Sequence, residues 1–87
     1  MEYKPGMMVK SIAGHDKNSI YVIIRECKDH VYVCDGKLKM VEKPKKKNKK
    51  HVQLIKTISE EVAEKTANGS VIHNEDIRKV LGGVARV

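Results

Sequence analysis

The chain of 87 residues has no Trp and no Phe, and its only aromatic residues are three tyrosines. A core without large rings must be built mostly from Val, Ile, Leu and Met, so it must be thin. A chain of this length supplies material for one core rather than two. These absences favour a single small domain, and a small β barrel is a fold class that such a thin core can fill.

Cysteine is scarce as well, since Cys27 and Cys34 are too few for a disulfide framework. No N-terminal stretch combines a basic start, an apolar run and a small-residue cleavage site, so we expect a cytoplasmic location. The longest unbroken apolar run, residues 20–24, is far shorter than the roughly 20 residues that cross a bilayer. We therefore expect no membrane span.

Signatures of catalysis are missing too. None of the four serines stands in a nucleophile elbow or beside a paired lysine, and there is no phosphate-binding glycine loop. Acidic residues are scattered, and a chain this short has little room for a deep cleft. We expect a protein that is not an enzyme and that has no cofactor and no small-molecule substrate.

One spacing invites a test for a metal site. Cys27, His30 and Cys34 form a Cys-x2-His-x3-Cys pattern, with His15 or His51 as a distant fourth ligand. The cysteines lie on the two arms of a predicted hairpin and His30 lies at its tip, which disfavours convergence on one tetrahedral point. We expect no bound metal and reduced cysteines that pack as small apolar groups.

Positive charge is concentrated in one part of the chain. Residues 1–52 contain thirteen Lys and Arg against six Asp and Glu, whereas residues 53–87 contain five of each, so the first part carries the whole formal charge of +7. Such a one-sided charge favours nucleic acid or anionic lipid over an acidic protein as the partner.

The segment KPKKKNKK, residues 43–50, contributes six of these lysines. Pro44 disfavours helix on its N-terminal side, so we expect an extended basic loop framed by strands. Mutual repulsion among the ammonium groups would be relieved by a polyanion. A solvated loop that improves solubility and a nuclear address are the simpler alternatives.

Short apolar runs alternate with turn signals along the first two thirds of the chain, as in small sandwiches and barrels. The pattern predicts five strands, at residues 7–12, 19–27, 31–35, 37–41 and 51–55. The second strand is apolar on both faces and should lie at the centre of the sheet. Asp35-Gly36 should form the tight turn before the fourth strand, and Gly14 and Asn18 should adopt left-handed geometry in the first loop.

The period of the apolar residues changes to about 3.6 after residue 55. Thr57 followed by Glu60 predicts a capping box, and Asn68-Gly69 predicts the end of that helix. A second short helix should start after Asn74 and close at the glycine pair 82–83.

This order of strands and helices divides the chain into two parts. Residues 1–56 are predicted to form a barrel, and residues 57–87 a helical extension. The extension either packs on the barrel through Ile58, Val62, Ile77 and Leu81 or becomes ordered only on a partner.

The segment VKSIAGHDKNSIYVII, residues 9–24, joins a charged loop with a glycine to a β-rich second half. It resembles the KOW motif, a β-loop-β unit of ribosomal proteins and transcription elongation factors, at Gly14, Asp16, Lys17 and the hydrophobic strand that follows. Asn18 stands where the motif usually has a second glycine, and Asn keeps left-handed geometry accessible. The resemblance implies a five-stranded SH3-like barrel that contacts RNA through this loop.

The order of features over residues 3–56 extends the resemblance, because a KOW-like start and hairpin strands are followed by a basic run ending in NKKHVQL. This order is similar to the large-subunit ribosomal proteins of the fourteen-e class in archaea and eukaryotes, and still more to short bacterial KOW-domain RNA-binding proteins. The resemblance implies binding of ribosomal RNA or the ribosome, and it assigns RNA contact to Gly14, His15, Asp16, Lys17, Asn18, Lys43, Lys45, Lys46, Lys47, Asn48, Lys49, Lys50 and His51.

Not all of these residues need touch RNA. Asp16 is expected to order its loop by accepting backbone N–H bonds, and Asn48 and His51 are alternatively supports for the return into the last strand. Because aromatic residues are few, we expect recognition of RNA shape and backbone rather than stacking on bases. Arg25, if it faces outward, would extend the basic surface.

Two other functions are kept open. The domain could be an adaptor that docks on the transcription or translation machinery, including ribosomal proteins, through its neutral helical part. Binding to an anionic membrane surface ranks last, because no amphipathic basic helix or lipidation signal accompanies the lysines. The oligomeric state is open. The RNA-binding hypothesis requires the loop near Lys17 and the segment near Lys47 to lie close together in space.

Overall fold

Five antiparallel strands form one curled sheet in the order β4-β3-β2-β1-β5. The computed structural model describes residues 3–85, except for the side chains of residues 56–58 and 83–85. The strands are β1 (Met7–Ser11), β2 (Ile20–Glu26), β3 (His30–Cys34), β4 (Lys45–Asn48) and β5 (Val52–Ile58). A 3-10 turn, Lys49–His51, joins β4 to β5, and the helices α1 (Glu60–Asn68) and α2 (Asn74–Ala85) follow.

This arrangement is a small SH3-like half-barrel with C-terminal helices, so the predicted fold class is confirmed. The apolar strand β2 lies at the centre of the sheet, also as predicted. No helix within residues 3–85 has the length and apolar character needed to cross a membrane.

Each face of the sheet packs on its own apolar cluster, because side chains alternate between the faces along every strand. We call the first the barrel cluster; its buried members are Tyr3, Val9, Tyr21, Ile23, Val31, Val33 and Val52. The second, the helix-side cluster, contains Met8, Val22, Cys34, Val62 and Ile77. Strand β2 supplies both clusters, which explains why its sequence is apolar on both faces.

The two helices pack on the sheet, as the first of the two alternatives for the extension predicts. Val62 of α1 and Ile77 of α2 are completely buried in the helix-side cluster. An ion pair of 2.8 Å between Lys65 Nζ and Asp76 Oδ2 connects the two helices. The hydrogen bond between them lowers the pKa of Asp76 and raises the pKa of Lys65.

The helix boundaries differ from the prediction in two places. The N-cap of α1 is Ser59, whose Oγ accepts a hydrogen bond from the Val62 N–H at 3.2 Å. Thr57 cannot serve as the cap because β5 continues through Ile58, so the helical part begins after residue 58 rather than after 56. The predicted end of α1 is confirmed by Gly69 in left-handed geometry, whereas α2 runs through Gly82 and Gly83 to Ala85.

The predicted fourth strand at residues 37–41 is wrong. The carboxylate of Asp35 accepts hydrogen bonds from the backbone N–H groups of Lys37 and Lys39, at 2.8 and 2.9 Å, and closes a compact loop. This loop leaves Leu38 89% exposed. Its continuation is held by α2, because the Val41 N–H donates to Asn74 Oδ1 at 2.9 Å.

The true fourth strand lies inside the lysine segment that the sequence assigned to a loop. β4 pairs with β3 in the register His30↔Asn48, Val31↔Lys47, Tyr32↔Lys46 and Val33↔Lys45. Among the described residues β4 pairs with β3 alone, so it is an edge strand. Lysine is common on edge strands because its charge discourages pairing with other chains.

Candidate nucleic-acid interface

The loop between β1 and β2, residues 13–18, is held in a tight conformation by its own backbone. Gly14 and Asn18 adopt φ angles of 86° and 80°, so the prediction of left-handed geometry at both is confirmed. The Asn18 N–H donates to the Ser11 carbonyl at 2.8 Å, and the Ser19 N–H donates to the Asp16 carbonyl at 2.9 Å. We call this segment the first loop.

Asp16 lies at the centre of a cluster of side-chain donors. Its Oδ1 accepts from Ser11 Oγ at 2.9 Å and from Lys47 Nζ at 2.8 Å. Its Oδ2 accepts from the Tyr21 hydroxyl at 2.9 Å and lies 3.0 Å from Lys45 Nζ. The carboxylate therefore orders the loop, as expected, but the expectation that it does so through backbone N–H groups is wrong.

Burial and these contacts shift the pKa values of the two acidic groups in the cluster, Asp16 and Tyr21. Burial alone would raise the pKa of Asp16, but the hydrogen bonds from Lys47, Lys45, Tyr21 and Ser11 outweigh it and hold the pKa well below its ordinary value. Burial, together with the hydrogen bond to Asp16 and its negative charge, raises the pKa of Tyr21 to about 12. At neutral pH the cluster therefore contains an ionised Asp16 and a protonated Tyr21.

Lys47 connects the basic segment to the first loop. Its side chain points to the same face as its neighbour Val31 of the barrel cluster, because directly paired residues share a face. Only 7% of it is exposed, and its Nζ donates to the Ala13 carbonyl at 2.9 Å as well as to Asp16. The two lysine-bearing segments are thus adjacent in space, as the RNA-binding hypothesis requires.

The six lysines of residues 43–50 divide into two groups. Lys45, Lys47 and Lys49 are in ion pairs, the last with Glu26 at 2.8 Å. The side chains of the others are exposed and form no ion pair within the described part of the chain; they are Lys43, Lys46 and Lys50. Alternation along β4 produces this division, since Lys46 points away from the face that Lys45 and Lys47 share.

The remaining residues of the predicted site fall into exposed and supporting positions. Gly14, His15, Lys17 and Asn18 of the first loop are exposed. Asn48 is structural, because its Oδ1 accepts from the Lys50 N–H at 2.8 Å and caps the 3-10 turn. The His51 carbonyl accepts from the Ile12 N–H at 2.9 Å, while the rest of this residue is exposed.

A row of three side chains lies beside this site. Arg25 faces outward, which meets the condition for extending the basic surface, and Lys46 belongs to the predicted site, whereas nothing in the sequence singled out Tyr32 between them. Arg25 pairs with Tyr32 across β2 and β3, and Tyr32 pairs with Lys46 across β3 and β4. The guanidinium carbon of Arg25 lies 5.5 Å from the centre of the Tyr32 ring. Alternation in HVYVC could have placed Tyr32 outward, but the register shift between Ile23 and Arg25 that aligns the row has no sequence signal.

The cysteines are placed as parts of the fold. Cys34 is buried in the helix-side cluster, as predicted, and its pKa is raised to about 12 by burial and then by the charges of Asp35 and Glu42. Cys27 is half-buried. Within residues 3–85, no three His, Cys, Asp or Glu side chains are grouped closely enough to hold a metal ion.

No protein-family model matches the chain, and no curated protein matches its sequence. The functional proposals therefore depend on the geometry and charge of this surface, together with the resemblance of residues 9–24 to the KOW motif.

Proposed function

We propose that this protein binds RNA, with ribosomal RNA or the ribosome as the expected target, through phosphate contacts from the first loop and the basic segment. The observation that carries the proposal is the bond from Lys47 Nζ to Asp16, because it fixes the two segments against each other. The proposed role is binding rather than catalysis, in the cytoplasm.

The cluster around Asp16 reduces the cost of presenting so many lysines together. One carboxylate neutralises part of the charge of Lys45 and Lys47, and the lysine backbone is held as a strand. Exposed cations on a rigid backbone lose less conformational freedom on binding than cations on a mobile loop. Lys17, Lys46 and Lys50 are therefore the residues that we assign to phosphate contact, and Lys43, which is also exposed, is a further candidate.

Protection of the β4 edge is a different explanation for the lysines. It accounts for their positions on an edge strand without any ligand. The two accounts differ in what they predict for Lys50, which lies beyond the strand in the 3-10 turn, where a charge protects no strand edge. A role for Lys50 in binding would therefore favour RNA contact.

The proposal is tested by titrating a ribosomal RNA fragment at several salt concentrations. Each phosphate contact contributes a slope of about −0.7 to −0.9 to a plot of log affinity against log salt. The double substitution Lys46→Gln and Lys50→Gln should reduce the slope by about 1.4 to 1.8, because two contacts are removed.

A matched control is the pair Lys39→Gln and Lys79→Gln, which removes the same charge from the loop after β3 and from α2. It should lower the slope much less. If the wild-type protein binds RNA with a flat salt response, or if both pairs act alike, specific phosphate contact from this surface is excluded. The adaptor function would then be the better account.

A further inference from the structure

The outer surface of β2, β3 and β4 carries a row of three side chains that belongs neither to the Asp16 cluster nor to the apolar clusters. Arg25 and Lys46 are exposed at its ends, and Tyr32 is half-buried between them. The distance of 5.5 Å from the Arg25 guanidinium to the Tyr32 ring is within the range of a cation–π contact. Two planar groups and one ammonium therefore share an accessible surface.

Tyr32 differs from the other two tyrosines of the chain. Tyr3 and Tyr21 are buried in the barrel cluster. The Tyr3 hydroxyl donates to the Val52 carbonyl at 3.4 Å and the Tyr21 hydroxyl to Asp16 at 2.9 Å. Tyr32 is the tyrosine whose ring a ligand can reach, and the low aromatic content of the chain makes its outward position informative.

A groove of about 290 Å³ adjoins the row. His30 and Asn48, which line it, form a cross-strand pair on the same face as Tyr32 and Lys46. Lysines 28, 49 and 50 and the carboxylate of Asp29 also line the groove. The row and the groove together contain five cations and one carboxylate, that of Asp29. The carboxylate of Glu26, outside the groove, is paired with Lys49.

We propose that the row and the groove bind one unpaired RNA base and its flanking phosphates. The base packs against the Arg25–Tyr32 pair, and the phosphates face Lys46 and the lysines of the groove. Bases in bulges and loops stack on aromatic rings and on guanidinium planes, whereas bases inside a helix are not accessible. This inference depends on the proposed RNA-binding function, and it specifies the class of RNA: one with an unpaired nucleotide next to a helix.

The chemistry of the row favours a nucleotide over other anions. The anionic groups of a lipid headgroup or of acidic side chains would satisfy the lysines, but they carry no flat ring to match the Arg25–Tyr32 pair, whereas in a nucleotide the ring and the phosphate are parts of one unit. The expectation that the protein uses no base stacking, drawn from its low aromatic content, is replaced here by a single stacking position.

The test compares two RNA hairpins that differ only in a one-nucleotide bulge, which carries a base in one and is abasic in the other. Arg25→Gln and Tyr32→Leu should each weaken binding of the base-bearing hairpin about 5- to 140-fold, the range for removal of one stacking partner. Tyr32→Leu should bind the abasic hairpin within about twofold of wild type, because no base is present to stack. Arg25→Gln also removes a positive charge, so it should weaken the abasic hairpin as well, but less than the base-bearing one. Tyr32→Phe, which keeps the ring, should bind like wild type.

The pair Lys46→Gln and Lys50→Gln should weaken both hairpins, since both retain the phosphates. Equal losses for the two hairpins with Arg25→Gln or Tyr32→Leu would overturn the stacking site and leave the proposed function intact. Failure of the wild-type protein to bind either hairpin would overturn the proposed function as well. Arg25 is exposed, so Arg25→Gln keeps the test valid even if Tyr32→Leu does not fold.

Discussion

Lys47 Nζ lies 2.8 Å from Asp16 Oδ1, in an ion pair that is nearly enclosed by the protein. The next residue back along the strand, Lys46, is exposed on the opposite face. Adjacent lysines of one basic segment therefore have different roles. Lys47 holds the first loop on the barrel, and the side chain of Lys46 is accessible to a ligand.

Asp16→Asn should destabilise the fold strongly, because it leaves the buried ammonium of Lys47 without its counterion. We expect a loss of about 3–5 kcal/mol in the free energy of unfolding. Urea denaturation measures it, with Asp29→Asn at an exposed position as the control, where the change should be within about 0.5 kcal/mol. Adding Lys47→Met to Asp16→Asn should recover part of the loss; no recovery would contradict a dominant role for the unpaired charge.

The lowered pKa of Asp16 should make the stability of the fold depend on pH. Since the pKa of Asp16 is lower in the folded protein than its ordinary value of 3.8, the folded state holds the ionised form more tightly. Its contribution is complete above that ordinary value and is lost as the pH falls towards the lower folded pKa. Unfolding in urea at pH 7, 5 and 3 should therefore show a steeper acid loss for wild type than for Asp16→Asn. Parallel curves would contradict this.

Two neighbouring substitutions should affect different properties: Lys46→Gln should affect RNA binding, and Lys47→Gln should affect stability. Lys46→Gln should leave the midpoint of thermal unfolding unchanged and weaken RNA binding. Lys47→Gln should lower the midpoint, because Asp16 and the Ala13 carbonyl each lose one buried donor; we expect a loss of about 1.5–3 kcal/mol, as for a hydrogen bond to a charged group. Calorimetry and RNA titration on the same samples test the contrast, and a reversed pattern would mean that the assignment of the two faces of β4 is wrong.

Gly36 and Gly69 have similar positive φ angles, 76° and 71°, but different surroundings. A Cβ on Gly36 would lie 2.6 Å from the Asn74 carbonyl oxygen, whereas a Cβ on Gly69 would meet no atom within 4 Å. Gly69→Ala should cost about 1–2 kcal/mol from strain alone. Gly36→Ala should cost about 1–3 kcal/mol more, because it pushes the loop off α2. Equal losses in urea denaturation would contradict close packing at Gly36.

The native reactivity of the cysteines is a separate test of packing. Because burial raises the pKa of Cys34 to about 12, its thiolate is almost absent at pH 8. A thiol reagent should leave Cys34 unmodified in the native protein and modify it in urea, as peptide mass spectrometry can show. Rapid modification of native Cys34 would contradict its place in the helix-side cluster.

The strands that the sequence predicts well are the short apolar runs bounded by turn signals, namely β1, β2, β3 and β5. β4 escaped prediction because lysine has little intrinsic preference for strands, and KKKN becomes a strand only by pairing with β3. For the residues after Asp35 the sequence predicted a strand that does not exist. The alternation of Leu38 and Met40 indicated a strand, but the Asp35 carboxylate closes a local loop there.

In the candidate site, too, local features could be predicted from the sequence, whereas features that depend on strand pairing could not. Gly14 and Asn18 were predictable because left-handed geometry is a local property of the backbone. The difference between Lys46 and Lys47 depends on which face of β4 meets the barrel, and the Arg25–Tyr32–Lys46 row depends on two registers and a register shift. Such relationships are set by pairing between distant segments, which the composition of one segment does not reveal.

The central claim is that the first loop and the basic segment form one RNA-binding surface, and NMR titration of the labelled protein with a ribosomal RNA fragment tests it most directly. Amide signals of residues 13–18 and 45–51 should shift together and fit one dissociation constant, while those of α1 and the exposed face of α2 stay in place. Shifts confined to one of the two segments, or centred on the helices, would contradict the claim.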